Sequence, residues 1–257
     1  MHSSSNHEVR SGHSGNFSNH LTTEKLKDHR SNDITELHSK TNTYSSNEFN
    51  VHRVYDTWVA ILQEPNNPKS PIGTQDYIDG YKELLKFFDQ LGYIFKFVKD
   101  DVVDKLGILQ TFVDKDKKRT ILHFDTIQKA IEYETEHNLI KTNPINFTRT
   151  LLRLHRALLF IIEFLRCLVD RPLSENTTII ATQCYDATLY NYHGFFIRQS
   201  VKVGFRMLPS RRQLDEIIFH GHKTELFEQY KTFIKIIQQI YDIIQTFYEE
   251  KKYLQLP

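Results

Sequence analysis

The chain has 257 residues, with 33 Lys+Arg against 32 Asp+Glu and only two cysteines. That length allows one sizeable core. The near balance of charge excludes the basic excess that nucleic-acid binding needs, and no DNA- or RNA-binding signature is present.

Residues 1–48 are rich in Ser, Asn, His, Thr and Lys, with isolated apolar residues and no periodicity. Such a segment cannot bury enough apolar surface to offset its ordering entropy, which predicts a disordered polar tail. No apolar run follows its basic residues, so it does not read as a signal peptide. Six histidines lie there (His2, His7, His13, His20, His29 and His38), but their spacing fits no metal motif. The rest, residues 49–257, is predicted to form one domain.

From Asn50 onward the periodicity is helical. A first helix is predicted over about 51–63, followed by the loop Glu64–Gly73, whose three prolines break it. A second begins near Gln75 and breaks around Gly92. Asp101 is placed to cap a third that runs to about Phe112. The charged run Asp114–Arg119 reads as a solvated connection, and a fourth helix covers about 124–137. An apolar helix over about 147–169 follows, then one from Ser174 towards Tyr192, one over 195–207, and a last over about 223–252. No Val/Thr-rich alternation or hairpin turn is visible. The fold class is therefore all-α, with about eight helices. The most apolar stretch, Leu151–Val169, carries too many charges for a bilayer core, so a soluble protein is expected. Cys167 and Cys184 each sit in a helical apolar context, which predicts buried reduced thiols in a cytosolic protein.

Arg149, Arg153 and Arg156 share one stripe of the helix over 147–169, within about 60° of one another at roughly 100° per residue. Like charges at this spacing repel, and burying them without a counterion is costly. A basic stripe beside an apolar face suits an anion joined to something oily. Taken alone, each residue has a plainer reading. Arg149 and Arg153 could pair with a carboxylate such as Glu163. Asp101 and Lys105, one helical turn apart, could be a surface pair, and His193 a core histidine or helix cap. Arg156 is expected to form a structural ion pair, and the aromatic stripe of the last helix to be core.

Several separated runs carry a resemblance. Leu91-Gly92-Tyr93-Ile94-Phe95-Lys96-Phe97 and Asp101-Val102-Val103-Asp104-Lys105-Leu106 are similar to the headgroup region of the glycolipid transfer protein family. Arg149-Thr150-Leu151-Leu152-Arg153-Leu154-His155-Arg156-Ala157-Leu158 and Tyr185-Asp186-Ala187-Thr188-Leu189-Tyr190-Asn191-Tyr192-His193 resemble its ceramide-1-phosphate transfer branch, as does the terminal Leu254-Gln255-Leu256-Pro257. The resemblance covers nearly all of residues 49–257.

The resemblance implies a two-layer helical sandwich holding one sphingolipid, with its headgroup in a surface recess and its chains in an apolar pocket. It assigns Asp101 to the ceramide amide N–H, His193 to the amide or phosphate region, and Lys105, Arg149 and Arg153 to the phosphate. The chemistry agrees, since Arg forks and a Lys point charge suit a phosphate monoester. An ester in place of the amide would leave the aspartate unpaired, at about 1–3 kcal/mol. In the glycolipid-binding branch the residue matching Arg153 is a tryptophan that stacks on a sugar, so arginine favours phosphate. Phe195 stands where the family usually has an interfacial tryptophan, and with Phe196 it is the candidate membrane-docking wedge.

The function implied is non-vesicular transfer of a phosphosphingolipid, foremost ceramide 1-phosphate, between membranes. Its partners are that lipid and a transient peripheral membrane contact, with no nucleic acid, and the chain is expected to be a cytoplasmic monomer. No cofactor or metal is expected. Alternatives of the same fold are a sphingolipid sensor or adaptor and a glycolipid carrier. An acid–base enzyme built on His193 and Asp101 lacks any nucleophile motif, metal cluster or glycine loop.

Overall fold

The computed structural model describes residues 47–62, 64, 67–92 and 95–257, without the Phe97 side chain. The expected polar tail thus falls outside the described residues, save Asn47 and Glu48. Ten α-helices are present among the described residues. They are α1 (Val51–Ile61), α2 (Thr74–Asp89), α3 (Lys96–Asp116), α4 (Ile127–Glu136), α5 (Leu139–Thr142), α6 (Phe147–Asp170), α7 (Thr177–Thr188), α8 (Phe195–Phe205), α9 (Arg211–Phe219) and α10 (Lys223–Lys251). A 3₁₀ turn, Tyr190–Tyr192, joins α7 to α8. The only β feature in the described residues is an isolated bridge between Gly73 and Thr126.

Five helices close a circuit, α6 packing on α10, α10 on α1, α1 on α2, α2 on α3, and α3 back on α6. This is the all-α sandwich expected, and its core holds Trp58, Tyr77, Tyr81, Phe87, Phe147, Phe233 and Tyr248. The tight crossing of α1 and α2 depends on Gly80. A Cβ there would stand 2.9 Å from Ile61 Cδ1, and the Gly80 carbonyl accepts the Trp58 indole N–H at 3.0 Å.

The central helix α6 is anchored by buried polar groups. Asn146 caps it through Oδ1, which accepts the Arg149 N–H at 2.8 Å. Glu134, itself buried, accepts the N–H groups of Phe147 at 2.7 Å and Thr148 at 2.8 Å, so a carboxylate faces the positive end of the helix dipole. Phenol groups of neighbouring helices donate to its carbonyls, Tyr248 to Thr148 at 2.7 Å and Tyr81 to Leu154 at 2.5 Å.

Several element limits differ from expectation. The third helix begins five residues before Asp101, at Lys96, so Asp101 lies in its second turn and is not an N-cap. The run from Asp114 is not simply a solvated connection. The helix continues to Asp116, which is buried and accepts the N–H groups of His123 and Phe124, each at 2.7 Å. α9 was not anticipated, although Ser210 and Gln213 form a capping box at its start. Cys184 is buried but Cys167 is only half-buried, and their sulfurs lie 3.7 Å apart.

His155 is enclosed between α6 and α10, stacked on Tyr241 at 4.0 Å with Nε2 against Gln245 Oε1 at 2.9 Å. Burial pushes its pKa down to about 4. The unfolded chain takes up this proton near pH 6.5 and the folded chain does not, so the stability present above pH 6.5 is lost as pH falls towards 4. The expected slope is at most ~1.4 kcal/mol per pH unit for this one group. Urea unfolding followed by circular dichroism should show His155→Phe reducing the loss of stability over that window. An unchanged pH profile would contradict a neutral buried His155.

Candidate headgroup site

The side chains singled out in the sequence come from three elements. Asp101 and Lys105 sit one turn apart on α3, with Lys105 Nζ 2.5 Å from Asp101 Oδ1. Arg149 and Arg153 lie in the first two turns of α6. His193 ends the 3₁₀ turn, before Gly194, which opens α8.

Two contacts fix the relation of α3 to α6. The rings of Phe112 and Phe147 are 6.0 Å apart, while Val102 shares a cavity wall with Ala157, Phe160 and Ile161. The helices are therefore antiparallel, which sets Lys105 level with the part of α6 that carries Arg153. His193 feels both α3 residues. Burial lowers its pKa, Asp101 acts against that, and Arg198 and Lys105 add to it. Asp101, Lys105 and His193 thus form one electrostatic neighbourhood, with the arginines on the helix alongside.

The arginines of α6 divide sharply. Arg166 takes Glu163 at 2.5 Å, so that carboxylate pairs with neither Arg149 nor Arg153. Arg149 is half-buried, and its Nε is enclosed without a hydrogen-bond partner. Among the described residues, neither Arg149 nor Arg153 side chain makes a hydrogen bond or ion pair. Arg149 also stands at the positive end of its helix, where a cation is least favoured. Arg156 does not form the ion pair expected of it. It donates to the carbonyls of Leu254 at 2.7 Å and Leu256 at 2.9 Å, and its guanidinium lies 4.0 Å from the Tyr192 ring centroid.

That contact is one of three clamps on the turn carrying His193. Arg198 donates to the Tyr190 carbonyl at 2.9 Å and stacks on the Tyr190 ring at 3.8 Å. The Tyr185 hydroxyl lies 2.9 Å from His193 Nδ1. Burial raises the Tyr185 pKa, so its hydroxyl keeps its proton and can donate it to Nδ1. A neutral His193 then carries its proton on Nε2, which makes no hydrogen bond among the described residues. Tyr185 and Arg198 received no role from sequence reasoning. Tyr185 belongs to the same run as His193, but the contact depends on how the turn folds back.

His193 also borders an apolar cavity of about 70 Å³ between α2, α3, α6, α7 and α8, with Phe88, Phe95, Phe160, Tyr185 and Phe205 in its wall. The rings of Phe160 and Phe205, both in the wall, stack at 5.9 Å. Pockets that enclose whole small molecules hold roughly 300–1,000 Å³, so a long chain could enter only if these walls part. The polar group and apolar chamber meet at His193, a layout for an amphiphile. At the start of α8, Phe195 and Phe196 are 67% and 83% exposed, so both are available for contact.

The glycolipid transfer protein family model matches residues 72–219, more than half of the chain. The chain belongs to the glycolipid transfer protein family. It is 31% identical over 214 residues to the ceramide-1-phosphate transfer protein of Danio rerio, an alignment covering 81% of this chain and 98% of the relative. The apo structure of the mouse ceramide-1-phosphate transfer protein superposes with a TM-score of 0.74 at 32% identity, covering 82% of this chain and all of that one. The human protein in complex with 12:0 ceramide 1-phosphate superposes with a TM-score of 0.74 at 30% identity, covering 81% of this chain and all of that one. No helix among the described residues is long and apolar enough to cross a membrane.

The Tyr185–His193 contact has a direct test. In ¹⁵N NMR of the imidazole, the native chain should show the tautomer protonated at Nε2, and Tyr185→Phe should shift the population towards a mixture. A native His193 protonated at Nδ1 would contradict this arrangement.

Proposed function

We propose that residues 49–257 carry a phosphosphingolipid, above all ceramide 1-phosphate, between membranes. The observation that supports this most is the unpaired state of Arg149 and Arg153 on a helix whose other arginines have partners. The enclosed Arg149 Nε lacks an acceptor, which is costly, Arg153 is exposed beside it, and a phosphate monoester supplies both charge and acceptor oxygens. The relatives named as ceramide-1-phosphate transfer proteins add weight to that choice of headgroup.

In this reading Arg149 and Arg153 take the phosphate, and Lys105 turns from Asp101 to join them. Asp101 then accepts the amide N–H and a nearby hydroxyl, while His193 donates its Nε2 proton to the amide carbonyl. The hydrocarbon chains enter past Phe160 and Phe205. Each methylene kept from water is worth about 0.8 kcal/mol, so the chamber need only match what the bilayer offers. Phe195 and Phe196 rest in the membrane surface during exchange, and the protein otherwise moves as a cytoplasmic monomer. No bond is broken, so the protein acts as a carrier and not an enzyme.

The test is fluorescent ceramide 1-phosphate moving between vesicles. Arg149→Leu and Arg153→Leu should each abolish transfer and leave the helical circular dichroism unchanged. Transfer at the native rate by both variants would overturn the phosphate assignment. Tight lipid binding without transfer by the native chain would favour a lipid sensor instead.

A further inference from the structure

Cys167, near the end of α6, and Cys184, in the second half of α7, meet where the two helices pack, with their sulfurs 3.7 Å apart. They are the chain's only cysteines, and both are free thiols. Neither belongs to the headgroup site or to the wall of the apolar chamber. A disulfide needs about 2.05 Å between its sulfurs, so these two must close by roughly 1.7 Å. Each Sγ swings on its own χ1, and the helices are already in contact, so side-chain rotation supplies most of that approach.

The two thiols are not equivalent. Cys167 is half-buried and Cys184 buried, so a small oxidant in solution meets Cys167 first. Burial, with Cys167 beside it, pushes the Cys184 thiol pKa up; Glu163 adds to this and Arg171 opposes it. Arg171 reaches from the end of α6 to Gln183, next to Cys184, at 2.6 Å and to Glu175 at 2.7 Å. Its guanidinium interacts with both sulfurs. A fixed cation beside a half-exposed thiol is the setting in which cysteine sulfur reacts.

A bond between these sulfurs acts on the lipid chamber. Cys184 directly precedes Tyr185, whose ring lines the chamber and whose hydroxyl meets His193. Cys167 lies about two turns beyond Phe160 on α6. The rings of Phe160 and Tyr185, both in the chamber wall, meet edge-on at 6.5 Å. α6 and α7 thus form one side of a chamber of about 70 Å³ that admits a hydrocarbon chain only by widening.

We propose that Cys167 and Cys184 are an oxidant-responsive dithiol whose disulfide ties α6 to α7 and holds the chamber closed. The co-reactant is a hydroperoxide. Its O–O bond breaks as the Cys167 sulfur takes one oxygen to become a sulfenic acid, and the other oxygen leaves with a proton as water or an alcohol. The Cys184 sulfur then attacks the Cys167 sulfur, the S–O bond breaks, and water leaves with the Cys184 proton. Two thiols are oxidised and one peroxide is reduced. The bond forms whatever the chain carries; only its effect on transfer rests on the carrier reading.

The experiment treats the reduced full chain with a small excess of hydrogen peroxide and follows intact mass, linked peptides and lipid transfer. The expected product is a single chain lighter by two hydrogen atoms, with Cys167 and Cys184 in one linked peptide that dithiothreitol separates. It should move fluorescent ceramide 1-phosphate between vesicles severalfold more slowly and recover on reduction. Cys184→Ser should stop at a Cys167 sulfenic acid, trapped by dimedone, and its transfer should not respond to peroxide. Cys167→Ala should leave Cys184 unoxidised. A native chain whose oxidation stops at oxygenated Cys167, or that forms cross-linked dimers, would overturn the pair. A linked chain that transfers at the reduced rate would overturn the lock. A reduced chain that transfers nothing, yet forms the link and then unfolds at a higher temperature, would contradict the carrier reading and support the tie between α6 and α7.

Discussion

Two guanidinium groups on α6 carry charge that no carboxylate among the described residues answers. The surrounding fold makes this costly for Arg149, while Arg153 is exposed. Arg149 stands at the positive end of the helix dipole, and its Nε is enclosed. Glu134 is close at hand but is committed to the Phe147 and Thr148 N–H groups and to the Thr148 hydroxyl at 2.7 Å. The same buried carboxylate that starts the helix therefore leaves the arginines for something else. The packing of α6 against α3, α4, α7 and α10 fixes where that something must sit.

The remaining parts follow from this constraint. In the proposed reading, a phosphate on α6 would bring the rest of its molecule towards the turn bearing His193, which Arg156, Arg198 and Tyr185 hold from three sides. Arg156 links that turn to the chain's last residues through the Leu254 and Leu256 carbonyls. Beyond His193 the interior is aromatic and nearly closed, so in the proposed reading a chain would enter by parting Phe205 from Phe160 and Phe95. α8 supplies Phe205 to that interior and Phe195 and Phe196 to the outside, so one helix touches both the chamber and the surface.

Much of this was legible in the residues because helical periodicity is a local signal. The length and apolar face of α6, the stripe of arginines and the spacing of Asp101 and Lys105 needed no tertiary information. Partner choice did. Arg156 and Arg149 look alike in sequence, yet one reaches backbone carbonyls of residues about a hundred positions away and the other has no partner. Asp116 looked like part of a charged solvent run until the chain folded back and presented two N–H groups to it. α9 is short, and its capping box alone was too weak a signal beside the loop-forming Pro209. Family membership is established by the alignment and superposition, which the separated runs of residues had already suggested.

The central claim is that the lipid is chosen by its phosphate and its amide together. Native mass spectrometry of the purified chain, offered an equimolar mixture of ceramide 1-phosphate, glucosylceramide, sphingomyelin and phosphatidic acid, tests it most directly. Retention of ceramide 1-phosphate above the other three is the result predicted. Equal retention of phosphatidic acid would remove the role of Asp101 and His193, and preference for glucosylceramide would contradict the role of Arg153.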